Sequence, residues 1–115
     1  MKQEREFFDP TSLPWRPAAG YPAGVWEQVL AGGEDEGVTT RFLRFEAGAG
    51  NDAVVTHDFW EEIYIVSGAC EVGGTVYRAG MVAVRPPGMP HGPFRSSGGC
   101  VKISPKSWMR SSASR

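Results

Sequence analysis

The sequence predicts a small all-β domain, an antiparallel β-barrel or jelly roll, from three observations. Fifteen glycines and nine prolines divide the 115-residue chain into short segments. Between these breaks lie runs of β-branched and aromatic residues, which are typical of strands. No Gly- and Pro-free window of about ten residues shows the periodicity of a helix. Many short strands separated by glycine turns indicate a sandwich or a barrel.

The predicted strands follow one another closely along the chain. Gly73-Gly74 is the clearest turn, because both positions tolerate a positive φ and two strand-like segments flank them. It therefore predicts a two-residue hairpin. The predicted strands are residues 25–31, 39–46, 54–59, 63–67, 70–72, 75–78, 81–85, 91–95 and 101–104.

The length of 115 residues is typical of one domain. We divide the chain into an extended, proline-rich N-terminal arm over residues 1–20, a barrel over 21–105 and a polar tail over 106–115. The prolines exclude a long helix in the arm. We expect the arm to cover an edge strand and the chain to form a homodimer.

The charge balance excludes several classes of partner. The net charge is −1 and the pI is about 6.1, so nothing favours nucleic acid or an anionic membrane as a partner.

No apolar stretch is long enough to span a bilayer. The first ten residues, MKQEREFFDP, lack the apolar core of a secretory signal. We therefore expect a cytoplasmic protein in which Cys70 and Cys100 are free thiols.

The chain has two histidines, His57 and His91, and Glu61 follows the first of them by four residues. A helical ligand pair is excluded by the glycines upstream and the strand-like segment downstream. Along one straight strand, residues four apart would lie roughly 13 Å from each other. The chain must therefore turn near residues 58–60 if His57 and Glu61 are to bind one ion.

Two spaced motifs that contain these residues resemble those of the cupins, and the stretch HGPFRSSGGC together with the paired Glu61-Glu62 resembles the small bacterial cupins of the ChrR-like group. The first cupin motif reads G, five residues, H-x-H, three or four residues, E, six residues, G. His57, Glu61 and Gly68 match its second histidine, its glutamate and its closing glycine. The second motif reads G, five residues, P-x-G, two residues, H, three residues, N. The positions that match it are Gly80, Pro86, Gly88 and His91, with Arg95 in place of the asparagine.

The resemblance implies a double-stranded β-helix with a divalent metal in its mouth, held by His57, Glu61 and His91. Val55 stands where the motif has its first histidine, so one ligand of the usual set is missing. Two imidazoles and a carboxylate suit Fe(II), which we favour, and also Mn, Zn or Ni. The resemblance implies an enzyme acting on a small organic molecule, with dioxygenase chemistry favoured over isomerase, lyase or cyclase chemistry. The alternative is a non-catalytic module that senses a small molecule or a metal.

Other residues have weaker assignments. We expect Glu62 to point outward, because neighbouring strand residues face opposite sides. Strict alternation puts Arg41, Leu43 and Phe45 on one face of their strand, but it does not say which face is internal. Surface exposure is the default for the three arginines Arg41, Arg44 and Arg85. The candidate pocket residues are Val55, Arg95, Phe45, Tyr64 and Phe94.

Overall fold

The computed structural model describes residues 5–33 and 37–107; most of the predicted tail, including Trp108, lies outside them. Within these ranges the chain forms strands and one short 3-10 turn, Pro10–Ser12, but no α-helix. The predicted all-β class is confirmed. The strands are β1 (Arg16–Pro17), β2 (Val25–Gly33), β3 (Val38–Phe45), β4 (Ala49–Gly50), β5 (Trp60–Val72), β6 (Thr75–Arg78), β7 (Val82–Arg85), β8 (Phe94–Ser96) and β9 (Cys100–Ser107).

All strand pairs are antiparallel, and the strand order is β1-β2-β3-β9-β5-β8-β4, with β6 and β7 also paired to β5. The long strand β5 connects the two halves of this curled sheet. Its residues 60–68 pair with β7 and β9, whereas residues 69–72 pair with β6 and β8. Gly68 lies at the change of partners with a φ of +77°. A strand that passes from one sheet to the other closes the barrel.

Alternation along the strands separates the interior from the surface. In β3 every second residue is buried, which puts Arg41, Leu43 and Phe45 inside the barrel. The rings of Tyr21, Phe45 and Phe94 pack edge-on or tilted, with centroids 5.3–6.3 Å apart. The buried apolar core consists of Ala18, Val25, Leu43, Phe45, Ala49, Ile63, Ile65, Cys70 and Cys100.

Five of the predicted strands differ markedly from the structure. Residues 54–59 are not a strand: only Val55 pairs, in an isolated bridge to His91. Residues 63–67 and 70–72 belong to one strand, because Gly68 redirects β5 without ending it. The predicted strand 91–95 begins only at Phe94, and β9 continues to Ser107, beyond residue 104. The Gly73-Gly74 hairpin is confirmed, with both glycines at positive φ.

The N-terminal arm packs along β2 of its own chain. Arg16 of β1 pairs with Glu27, and the side-chain amide of Gln28 donates to the carbonyl oxygens of Pro10 and Leu13 at 2.9 Å each. The arm therefore covers an edge strand of its own chain, β2. The homodimer stays a prediction. In the part of the chain that the structure describes, no helix is both long and apolar enough to cross a membrane.

Candidate metal centre

His57, Glu61 and His91 converge at the mouth of the barrel. Each offers one ligand atom, and these atoms all lie within 4.8 Å of one another. The two imidazole centroids are also 4.8 Å apart. The required turn between His57 and Glu61 is present, because the chain bends at Asp58 and Phe59 before β5 begins.

Backbone pairing between the two motifs holds the histidines in place. His91 and Val55 exchange both of their backbone hydrogen bonds, at 2.8 and 2.9 Å. The carbonyl of His57 accepts a hydrogen bond of 2.8 Å from the amide of Gly88, a residue of the second motif. The His57 ring stacks on Phe59 at 4.5 Å between centroids. The proline- and glycine-rich segment before His91 therefore positions both imidazoles.

Glu61 is the buried ligand candidate, with 2% of its surface exposed. It lies on the inward face of β5, two residues before Ile63. One carboxylate oxygen is 3.5 Å from the guanidinium of Arg85, and the other accepts a hydrogen bond of 3.2 Å from Ser104. Glu62 is exposed, as predicted. Arg85 and Ser104 orient the Glu61 carboxylate toward the histidines.

The electrostatics favour a neutral imidazole at His57. Burial lowers the pKa of His57 below its usual 6.5, and the opposing effect of the Glu61 carboxylate does not offset this. Electrostatic interactions with His91, Lys106 and Arg85 lower it further. Neutral imidazole is the form that binds metal.

The donor set fits a divalent metal ion. Two imidazole nitrogens and one carboxylate oxygen meet at one point, and all three ligand types are accepted by first-row divalent ions. Val55 adds no donor, since its side chain is apolar and its backbone groups are used in the bridge to His91. A three-residue set leaves coordination positions open for water or substrate.

Cavities approach this centre from two sides. One, of about 290 Å³, is lined by both histidines and Phe94. The other, of about 450 Å³, is lined by His91 and by apolar residues of β5 and β7. A small recess next to Glu61 contains Phe45 and Phe94. Phe45 and Phe94, two of the candidate pocket residues, are thus among the side chains that line these cavities, and their part in a binding pocket stays a prediction.

Tyr64 and Arg95 lie away from the cavities. Tyr64 alternates to the outer face of β5 and is 44% exposed, so its assignment to the pocket was wrong. Arg95 turns outward as well: its guanidinium donates to the carbonyl of Gly48 at 2.7 Å and pairs with Asp52 at 3.3 Å. The last position of the second motif is therefore structural here.

Sequence reasoning missed the charged residues inside the barrel. Arg41 is only 5% exposed, in contrast to the expected surface position, and pairs with Glu27 at 2.8 Å. Arg85 and Lys102 also face the cavities. Alternation joined Arg41 to Leu43 and Phe45, but the opposite face also holds an aromatic residue and an arginine, so the sequence carried no signal for which face is internal.

Cys70 and Cys100 are free and buried, as predicted. The Cys70 thiol donates to the carbonyl oxygen of Glu71 at 3.9 Å. The interaction with the Cys100 thiol lowers the pKa of Cys70 to about 6, against the effect of burial and with help from the Lys102 ammonium. The same interaction, together with burial, raises the pKa of Cys100.

Comparisons with known proteins agree with this architecture. An RmlC-like cupin from Shewanella frigidimarina superposes with a TM-score of 0.74 at 24% identity, covering 97% of this chain and 98% of that one. An acetylacetone dioxygenase from Acinetobacter johnsonii gives 0.73 at 17% identity, covering 91% and 74%. The complex of Rhodobacter sphaeroides SigE with the anti-sigma ChrR gives 0.64 at 20% identity, covering 84% of this chain and 51% of that one.

At these identities the likeness establishes the fold alone. No curated protein sequence matches the chain. The family model described as the ChrR cupin-like domain, however, matches residues 3–106, nearly the whole sequence. The motif spacing, the curled antiparallel sheet and this match agree, and the chain belongs to the ChrR cupin-like family.

Proposed function

We propose that this chain is a metal-dependent enzyme that acts on a small organic molecule, with His57, Glu61 and His91 as the ligands of a divalent ion. The observation that carries the proposal is the convergence of three ligand atoms within 4.8 Å of one another beside cavities of small-molecule size. Fe(II) is the favoured ion, and the donor set also accepts Mn, Zn and Ni.

Dioxygenase chemistry is the favoured reaction. When bound, a divalent iron would supply a centre at which a substrate with two oxygen donors and O₂ can meet. The similarity to an acetylacetone dioxygenase motivates this choice. Isomerase, lyase or cyclase chemistry would use the same ligands with a Lewis-acidic ion.

The chain's own residues have separate roles in this proposal. Arg85 and Ser104 hold the Glu61 carboxylate in one orientation. Phe59 stacks against His57 and limits its rotation. Apolar side chains on the inner faces of β5 and β7, such as Ile63 and Ala83, line the larger cavity and reduce its water content.

Metal content tests the proposal directly. We expect wild-type protein purified without added metal, or reconstituted with Fe(II), to contain a stoichiometric amount of metal by elemental analysis. His91→Ala should lose it, because one of three ligands is removed. Glu62→Gln is the matched control, since it alters an exposed carboxylate next to Glu61 and should retain the metal. Wild-type protein without metal after reconstitution would contradict the proposal.

Oxygen uptake tests the dioxygenase assignment. Metal-loaded protein is assayed against a panel of diketones, catechols and hydroxy acids, with His91→Ala as the inactive reference. We expect uptake with at least one compound that offers two oxygen donors. If metal-loaded protein converts a compound but consumes no oxygen, the dioxygenase assignment fails and the Lewis-acid alternative is supported.

A second candidate is a sensing module without catalysis. Two observations favour it: Val55 removes one motif ligand, and the fold resembles the anti-sigma ChrR. A sensor would bind metal or a small molecule and show a change in stability without turnover. Metal-loaded protein that turns over none of the panel, yet is stabilised by one of its members, would favour this candidate.

A further inference from the structure

Lys102 is a lysine in the interior of the barrel. It lies on β9 between Cys100 and Ser104, which are also buried, and it is itself 6% exposed. Its ammonium lies 4.5 Å from the ring centroid of Phe45 and 5.8 Å from that of Phe94. Among the residues that the structure describes, no carboxylate is within ion-pair distance of it. Lysine is rarely buried in this way without an anionic partner.

Lys102 shares its surroundings with the candidate metal centre. The cavity of about 450 Å³ and the small recess that contains Glu61 have Lys102, Arg85 and His91 in common among their lining residues. Two cationic side chains and one candidate metal ligand therefore border the same space. The walls between them are apolar and include Ile63 and Val72.

The charges around this space do not balance. Arg85 has Glu61 as its partner at 3.5 Å, and that carboxylate is also a proposed metal ligand. The thiol of Cys70 lies beside Lys102, and its ionisation would supply one further negative charge. In the cavity of about 290 Å³ that both histidines line, the charges of Arg41 and Glu27 neutralise each other across an ion pair of 2.8 Å. Even with an ionised Cys70, a divalent metal would leave two excess positive charges, and buried charge requires compensation.

We propose that the cavity binds a small organic acid, with a carboxylate of the ligand at Lys102 and Arg85 and its oxygen donors toward His57, Glu61 and His91. The contact with the metal ligands rests on the proposed function. The contact with Lys102 and Arg85 rests on the placement of these two cationic side chains at one cavity, and a bound metal would add the excess positive charge. The volume is within the range of small-molecule sites, and the apolar walls suit a carbon skeleton.

Binding of 2-hydroxy diacids tests this proposal. The probes are tartronate, malate, 2-hydroxyglutarate and 2-hydroxyadipate, a series of increasing length. Each of malate and 2-hydroxyglutarate is compared with its analogue in which the distal carboxylate is an amide of the same size. We expect at least one diacid to bind wild-type protein in calorimetric titration, roughly 10- to 100-fold more tightly than its amide.

Three variants assign the contact. Lys102→Met keeps the length and apolar stem of the side chain, and it should remove most of the preference for the diacid. Arg95→Met, which removes a half-buried arginine outside the cavity, should leave the preference unchanged. Cys70→Ser should also retain it, because the ligand and not the thiol is the proposed partner of Lys102. Loss of the preference in Cys70→Ser but not in Lys102→Met would overturn the proposal.

The wild-type comparison does not depend on any variant. If no diacid binds wild-type protein better than its amide, the proposal is wrong whether or not Lys102→Met folds. The titrations are done on metal-free and metal-loaded protein, with metal content measured separately. A carboxylate preference in metal-free protein supports the contact at Lys102 even if the metal assignment fails. If metal-loaded protein binds a diacid no better than its amide, the contact at Lys102 is refuted while the proposed function stands.

Discussion

At the scale of single residues, the barrel interior contains ion pairs where the sequence predicted exposed arginines. Arg41 faces inward because β3 alternates and its apolar partners Leu43 and Phe45 must be buried. The guanidinium is accommodated because Glu27, on the neighbouring strand β2, accepts its hydrogen bond at 2.8 Å. A second cation, Arg16 of the arm, contacts the same carboxylate at 2.8 Å. Glu27 thus links the arm, β2 and β3.

This linkage predicts a pH-dependent loss of stability. Burial raises the pKa of Glu27, but hydrogen bonds from Arg41 and Arg16 outweigh it, so the pKa lies below its usual 4.5. The stabilisation is therefore complete above pH 4.5 and decreases as the pH falls below it. Glu27→Gln should lower the free energy of unfolding by about 3 kcal/mol at pH 7, because a buried guanidinium loses its counter-ion.

Urea denaturation over a series of pH values measures this effect. The difference between wild type and Glu27→Gln should narrow in acid, where the wild-type carboxylate becomes protonated. Glu62→Gln, at an exposed position, should change the free energy by less than about 0.5 kcal/mol. Equal stabilities of wild type and Glu27→Gln at pH 7 would show that the ion pair contributes nothing.

At the scale of elements, the barrel depends on the change of direction within β5. Gly68 has a left-handed φ of +77°, and a Cβ built on it would lie 2.2 Å from the carbonyl oxygen of Gly99. The register of β5 against β9 also shifts between Ile65 and Ser67. The closing glycine of the first motif is therefore required twice, for its φ and for the close approach of β9.

Gly68→Ala should be strongly destabilising, because the added Cβ would clash with the backbone of Gly99 and Cys100 where β9 approaches. Gly74 is the matched control, since its φ is +88° but a Cβ there would meet no atom within 4 Å. Both alanine variants share the strain of a left-handed residue, about 1 kcal/mol. Gly68→Ala should lose at least about 2 kcal/mol more, because backbone must move. Equal unfolding free energies in urea for the two variants would contradict the steric explanation.

At the scale of the whole molecule, the arm is part of the fold. The Gln28 side chain, 3% exposed, holds the arm through the carbonyls of Pro10 and Leu13. The Arg44 guanidinium lies over the rings of Trp15 of the arm and Trp26 of β2, at 5.0 and 5.9 Å. The arm thus extends the sheet beyond β2 and restricts access to its edge.

Gln28→Met should release the arm while the barrel stays folded. Methionine has a similar length but no donor, so both carbonyls would lose their partner. Hydrogen exchange measured by mass spectrometry should become faster in peptides covering residues 5–15 and stay unchanged in peptides from β9. Unchanged exchange in the arm would mean that β1 pairing alone holds it, whereas faster exchange throughout would mean that the arm stabilises the whole barrel.

The strand-like segments and glycine turns of the sequence were sufficient to predict the barrel class and the Gly73-Gly74 hairpin, and the resemblance to the cupin motifs predicted the grouping of His57 with Glu61 and His91. These features depend on local turn chemistry and on motif distances, which are properties of the sequence. Which side chains face the interior depends instead on pairing between distant strands. The inward Arg41 and Lys102, the outward Tyr64 and Arg95, and the bridge that replaces a predicted strand at Val55 follow only from that pairing, because long-range register sets each residue's neighbours.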